Sequence, residues 1–232
     1  MAKYSKRTHK RKSGPRGGVS KLATRVRKIE NQVQAQADRG YLTTAYTGNE
    51  MDDSATFYCL NDIAAGDGPG NRTGNVITIR SVRMKMEVYR NLDTYLDVMR
   101  VRMWIIRWNQ NEAATPSITD LLNGTYIYRG RQDDPNLARR VTVLKEWDFY
   151  LGPLPNGSPS GGTPIVTTSN GTNKTINYYH HFGSKGQKVQ FGGTGSGQQA
   201  KGSIYYVYQC SHDGTITTSA YQRGDITIKF DR

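Results

Sequence analysis

The chain has 232 residues, 35% hydrophobic and 22% charged, with 32 lysines and arginines against 19 acids for a net charge of +13. That length suits one large all-β domain or two small ones. No run of about eighteen apolar residues exists, which argues against a helical membrane span, and the charged start has no apolar stretch behind it, so no secretory leader is expected. Cys59 and Cys210 stand far apart with no metal-ligating neighbours and read as free thiols. Asn-x-Ser/Thr triplets at Asn71, Asn123, Asn156, Asn170 and Asn173 read as turn chemistry.

The charge is not spread evenly. Lys3, Lys6, Arg7, Lys10, Arg11, Lys12, Arg16, Lys21, Arg25, Arg27 and Lys28 precede the first acid, Glu30. Subtracting these eleven from 32 leaves 21 bases against 19 acids, so the body is close to neutral. Like charges at this density repel and keep a segment open until a polyanion neutralises them. Residues 1–18 offer only Met1, Tyr4 and small residues beside the charges, which disfavours a membrane surface. Nucleic acid is the expected partner, and KRTHKRK also suits nuclear import. If all eleven met phosphates of one strand, log K would fall with log[salt] at a slope of roughly −7 to −8.

Residues 1–19 read as unstructured, closed by Gly14, Pro15, Gly17 and Gly18. Leu22, Val26, Ile29 and Val33 then form one apolar stripe, which predicts a short helix from Ser20 to about Ala37. Such a helix is marginal alone, so its stripe packs on its own domain or on copies of itself. From Tyr41 the pattern is β. Residues 76–90 place Val82, Met84, Met86 and Val88 against Arg83, Lys85, Glu87 and Tyr89. Ile77 and Ile79 occupy the opposite parity, which predicts a bulge near Arg80–Ser81. Residues 98–109 place Met99, Val101, Met103 and Ile105 on one face, with Arg100, Arg102, Trp104, Ile106 and Trp108 on the other. Further strands are expected at 55–61, 140–150, 174–182, 186–191, 203–211 and 225–230, with a single helical interruption at 116–124. About eight strands, turn-rich connections and no βαβ alternation imply an antiparallel sandwich of jelly-roll type.

Motifs for catalysis are missing. His180 and His181 are adjacent on a strand and face opposite ways, and no HExxH, CxxC pair, phosphate loop or Gly-x-Ser-x-Gly elbow occurs. The clusters Glu50/Asp52/Asp53 and Asp133/Asp134 could hold calcium, but solvated turns are the better reading. Tyr178, Tyr179, Tyr205, Tyr206 and Tyr208 lie on strands, where tyrosines stack bases or, more commonly, pack the sandwich.

Three segments in order, RTGNVITIRSVRMKMEVYR, MRVRMWIIRWNQNEAATPSITDLLNG and RRVTVLKEWDFYL, resemble the single jelly-roll coat proteins of very small icosahedral viruses. The likeness is closest to the satellite tobacco necrosis virus type, and the capsid proteins of circular single-stranded-DNA, circovirus-like viruses share the pattern. It covers residues 72–150, and the arm by type only. The resemblance implies an eight-stranded antiparallel jelly roll that closes into an icosahedral shell with its basic arm on the genome. It would make Lys3 to Arg16 line the interior, put the helix near a symmetry axis and leave the protein non-enzymatic. In that family calcium can sit between subunits; no residue here carries a ligand match, so no cofactor is expected and a structural calcium stays unassigned.

The resulting expectation is an all-β fold in which residues 1–40 form a basic, partly helical arm and residues 41–232 the jelly roll. Its partners are copies of itself, a single-stranded genome (DNA favoured over RNA), a host nuclear import receptor, and no membrane. It would reside in the virion and, during assembly, in the host nucleus. Residues 3–28 would bind genome, with Arg83, Lys85, Arg100 and Arg102 as a second, rigid basic layer if their face looks inward. The competing readings are a nuclear or ribosome-associated β-sandwich with a basic tail, and a secreted carbohydrate-binding sandwich that leaves the arm unexplained.

Overall fold

A computed structural model describes residues 21–30, 39–68, 70–90, 99–110, 115–152, 173–192, 199–211 and 220–232. The chain divides into two units, Met1–Asp38 and Arg39–Arg232. In the first, residues 21–30 form helix α1; Ser20, the expected cap, and the remainder of the expected helix lie outside the described residues. No described helix is long and apolar enough to cross a membrane.

The second unit is built from ten described strands: β1 (Arg39–Met51), β2 (Thr56–Cys59), β3 (Val76–Arg90), β4 (Met99–Trp108), β5 (Val141–Leu151), β6 (Asn173–His181), β7 (Gln187–Phe191), β8 (Gln199–Lys201), β9 (Ile204–Cys210) and β10 (Ala220–Asp231). The first sheet has the order β1-β10-β3-β7-β8, with β6 also on β3; the second is β2-β9-β4-β5. β6 lies along residues 81–89 of β3 and β7 along residues 76–79. They are two halves of one edge-to-edge partner, interrupted by the turn at Gly183–Gly186. Counted that way, the antiparallel pairs β1·β10, β2·β9, β3·β6/β7 and β4·β5 are the rungs of a single long ribbon folded across two sheets. That wrapping is a jelly roll of eight strands, with β8 as an extra edge piece.

Alternation explains the strands. On β3, Val82, Met84, Met86 and Val88 are fully or nearly fully buried, while Arg83 and Lys85 are exposed. The expected phase slip is present: Lys229 pairs Ser81 but Phe230 pairs Ile79, so Arg80 is the extra residue of a bulge. The main core lies between the sheets and joins Met84, Met86, Ile226 and Phe230 to Met103, Ile105, Tyr206 and Tyr208. A second apolar cluster covers the far face of the second sheet, where Trp104, Ile106, Trp108 and Val207 pack against Leu121 and Leu122. β4 is therefore buried on both faces for most of its length.

Three expectations need correction. β1 was not expected as a strand, because RGYLTTAYTGNEM buries few of its side chains and is thin in apolar residues. β10 begins at Ala220, five residues before the expected start, since Gly224 in its middle reads as a strand breaker. That glycine has φ 144°, and a Cβ there would stand 2.1 Å from the Lys85 carbonyl oxygen, so only glycine fits. The helical interruption at 116–124 is only a 3-10 turn at Ile118–Asp120, begun by a Ser117–Asp120 capping box. A second short helix, α2 (Pro135–Ala138), is capped by Asp134.

Candidate nucleic-acid interface

The expected arm ligands Lys3, Lys6, Arg7, Lys10, Arg11, Lys12 and Arg16 lie outside the described residues. On α1, Lys21, Arg25, Arg27 and Lys28 are exposed, as is the apolar stripe of Leu22, Val26 and Ile29.

The four strand cations do not form one layer. Arg83 and Lys85 stand on the outer face of the first sheet, whereas Arg100 and Arg102 stand on the outer face of the second. Their electrostatic surroundings also differ. Arg102 is buried; it donates to Glu146 Oε1 at 2.6 Å and to the carbonyls of Ile127 and Arg129 at 3.0 and 2.8 Å. Arg100 grips Asp148 with two hydrogen bonds of 2.9 and 2.6 Å. Arg131 closes the network on Glu146 Oε2. Burial pushes the Glu146 carboxyl up, but Arg102 and Arg131 outweigh it and hold its pKa below the usual range. The Arg100 hydrogen bond does the same for Asp148. These cations serve the fold, with Trp104 5.0 Å beneath the Arg102 guanidinium.

Two acids reach these arginines because of a bulge. Ile106 pairs Val143 and Ile105 pairs Lys145, so Leu144 is skipped and β5 changes parity. Val141 and Val143 face the outer apolar cluster, and past the skipped residue Glu146, three positions after Val143, and Asp148 share that side with Arg102.

On the first sheet Arg80 and Arg223 are paired with Asp231 and Glu87, but other cations stay open. None of the ion pairs among the described residues involves Arg83, Lys85, Lys229 or Arg39. Successive cross-strand rows read Thr43–Thr227–Arg83–Tyr179 and Tyr41–Lys229–Ser81–His181, followed by the Arg39–Asp231 pair. Arg39, Lys229, Arg83 and Lys85 are all exposed, and Tyr41 and Tyr179 are more than half exposed. Sequence reasoning named Arg83, Lys85 and Tyr179 here but missed Arg39 and Lys229. Register alone brings those two beside the others.

The other strand tyrosines expected to stack or pack, Tyr178, Tyr205, Tyr206 and Tyr208, pack. Tyr206 and Tyr208 are buried in the main core, Tyr206 donating to Gln222 at 2.5 Å, and Tyr205 joins the outer cluster. Tyr178 is half-buried edge-on to Trp147. Cys59 and Cys210 are free thiols, and burial pushes Cys59 up to about 12. Among the described residues, no group of three or more His, Cys, Asp or Glu side chains could hold a metal ion.

The jelly-roll wrapping narrows the choice of relatives, and the sequence decides it. The family model for the satellite tobacco necrosis virus coat protein matches residues 4–178, most of the chain. The chain belongs to that coat protein family. It is therefore a viral capsid protein, and the non-viral readings fall away. Comparison with curated proteins finds no relative. Among solved structures, Desmodium yellow mottle tymovirus is similar at 10% identity and a TM-score of 0.35, over 82% of this chain and 85% of the other. The infectious bursal disease virus VP2 subviral particle gives 10% and 0.29, over 83% of this coat protein and 33% of the other chain. The 60-mer BFDV capsid protein gives 12% and 0.26, over 84% and 90%. At these scores the overlays bear on neither fold nor function.

Proposed function

We propose that this coat protein closes with copies of itself into a small icosahedral shell and packages a single-stranded genome through the basic segment of residues 3–28. It performs no catalysis. The observation that carries this reading is the segregation of charge: eleven bases without an acid before Glu30, and 21 bases against 19 acids thereafter. A polyanion of arbitrary sequence is compacted by delocalised charge, and a near-neutral body lets neighbours approach without repulsion. KRTHKRK doubles as a signal for a host import receptor, which favours DNA replicated in a nucleus over RNA and places assembly there.

Electron microscopy of the expressed full chain should show uniform closed shells, and DNase but not RNase should degrade the nucleic acid extracted from virions. A persistent 26 kDa monomer in sedimentation would overturn the assembly reading. RNase sensitivity would overturn the choice of DNA.

A further inference from the structure

A cleft of about 430 Å³ opens on the outer face of the first sheet, at the end where β1 begins. Its origin is local. The Arg80 bulge and the Gly183–Gly186 turn both interrupt the sheet there, and Ser81, a small side chain between Lys229 and His181 in one cross-strand row, leaves a hollow. Arg39, Arg80, Lys229 and His181 line it, and Asp231 is its acid. Arg80 is neutralised in place: it pairs with Asp231 and donates to the Ser184 carbonyl at 2.6 Å. Arg39 and Lys229 remain as uncompensated charge. His181 Nδ1 accepts from the Gly183 N–H at 3.0 Å, which leaves Nε2–H as a donor toward the cleft's ligand. Tyr179 lines the rim with 63% of its surface exposed, and Arg83 is its direct cross-strand partner.

Cations for phosphate, donors for its oxygens and an exposed ring for a base are the components of a single-strand binding site. We infer that this cleft seats one nucleotide of the packaged strand, its phosphate between Arg39 and Lys229 and its base stacked on Tyr179. Arg83 and Lys85 continue the track along β3. The second cleft at this sheet's margin, around Gln187 and Lys201, fits such a ligand less well. Its arginine, Arg107, is occupied by Asn109, Gln187 and Thr142.

The inference rests on the proposed genome-packaging role but not on the arm, and the test separates the two. Four full-length chains are compared for binding of a fluorescent oligothymidylate across a salt series: the parent, an arm variant with its seven bases from Lys3 to Arg16 changed to Gln, R39A/K229A, and the combination. At roughly 0.7 per phosphate contact, the arm variant should lose about 5 from the salt slope and R39A/K229A about 1.4, additively. Tyr179→Ala should weaken binding roughly tenfold in the arm-variant background without changing the slope, and Tyr179→Phe should restore it. Ultraviolet cross-linking of the parent should attach oligothymidylate to the peptide holding Tyr179, a readout that needs no variant.

A parental slope in R39A/K229A, with cross-links confined to residues 1–28, would overturn the cleft while leaving the arm intact. A parental slope in the arm variant would overturn the arm while leaving the cleft. If R39A/K229A abolishes shells yet binds the oligonucleotide normally, the cleft belongs to an acidic segment of a second copy, and the inference fails.

Discussion

The two outer faces of the sandwich carry basic side chains at alternate strand positions, Arg83 and Lys85 on one and Arg100 and Arg102 on the other, yet they use them in opposite ways. On the second sheet, Arg100 and Arg102 are tied to Asp148 and Glu146 beside an apolar cluster on the same face. On the first, Arg83 and Lys85 are exposed and form no ion pair, although Asp225 stands across the strands from Lys85, and Arg39, Lys229 and an exposed tyrosine lie nearby. A cation among carboxylates holds a fold together; a cation without one is available to a polyanion. The difference lies in whether the neighbouring acids close ion pairs, as Asp148 and Glu146 do and Asp225 opposite Lys85 does not, and the alternation of the strand itself is the same.

Tests of this contrast run from core to surface. Met84→Asp places an unpaired charge in the fully buried layer beneath the open face. It should abolish soluble folding, and a parental melting curve would show that the face assignment is wrong. Glu146→Ala strands Arg102, whose side chain is only 5% exposed. The expected loss is about 3 kcal/mol in denaturant unfolding. A loss below about 1 kcal/mol would mean that the second face is as open as the first.

The same network makes stability depend on pH. Glu146 and Asp148 have folded pKa values below their ordinary 4.5 and 3.8. Their contribution is therefore complete above about 4.5 and is lost as pH falls through the lower folded values. E146Q/D148N should flatten that acid limb, which a melting series from neutral to acidic pH would reveal. At the mild end, Glu87→Gln removes the partner of Arg223, whose side chain is 62% exposed, and should cost under about 1 kcal/mol. Arg83→Ala with Lys85→Ala should leave the melting point unchanged, because neither side chain is paired or buried.

Much of the body was legible because alternation and its one phase slip report directly on which residues face the core. Ile79 and Val82 on opposite parity located the Arg80 bulge, and Met84 was assigned to the core on period alone. β1 was hidden because its tyrosines, threonines and glycines satisfy an edge strand without a continuous apolar face. The fates of Arg83 and Arg102 were indistinguishable for a different reason. Glu146 lies 44 residues from Arg102, and only the parity change at Leu144 delivers it to the right side. Long-range pairing of that kind leaves no local trace. Nor does the cleft, since Arg39, Lys229 and His181 meet only once four strands are in register.

The most direct test of the central claim is the nucleic-acid content of purified particles lacking residues 1–19. With the arm as the main genome binder, the β-domain stays folded and the ratio of absorbance at 260 to 280 nm falls far below the parental value, toward that of protein alone. Particles that keep the parental ratio would contradict it.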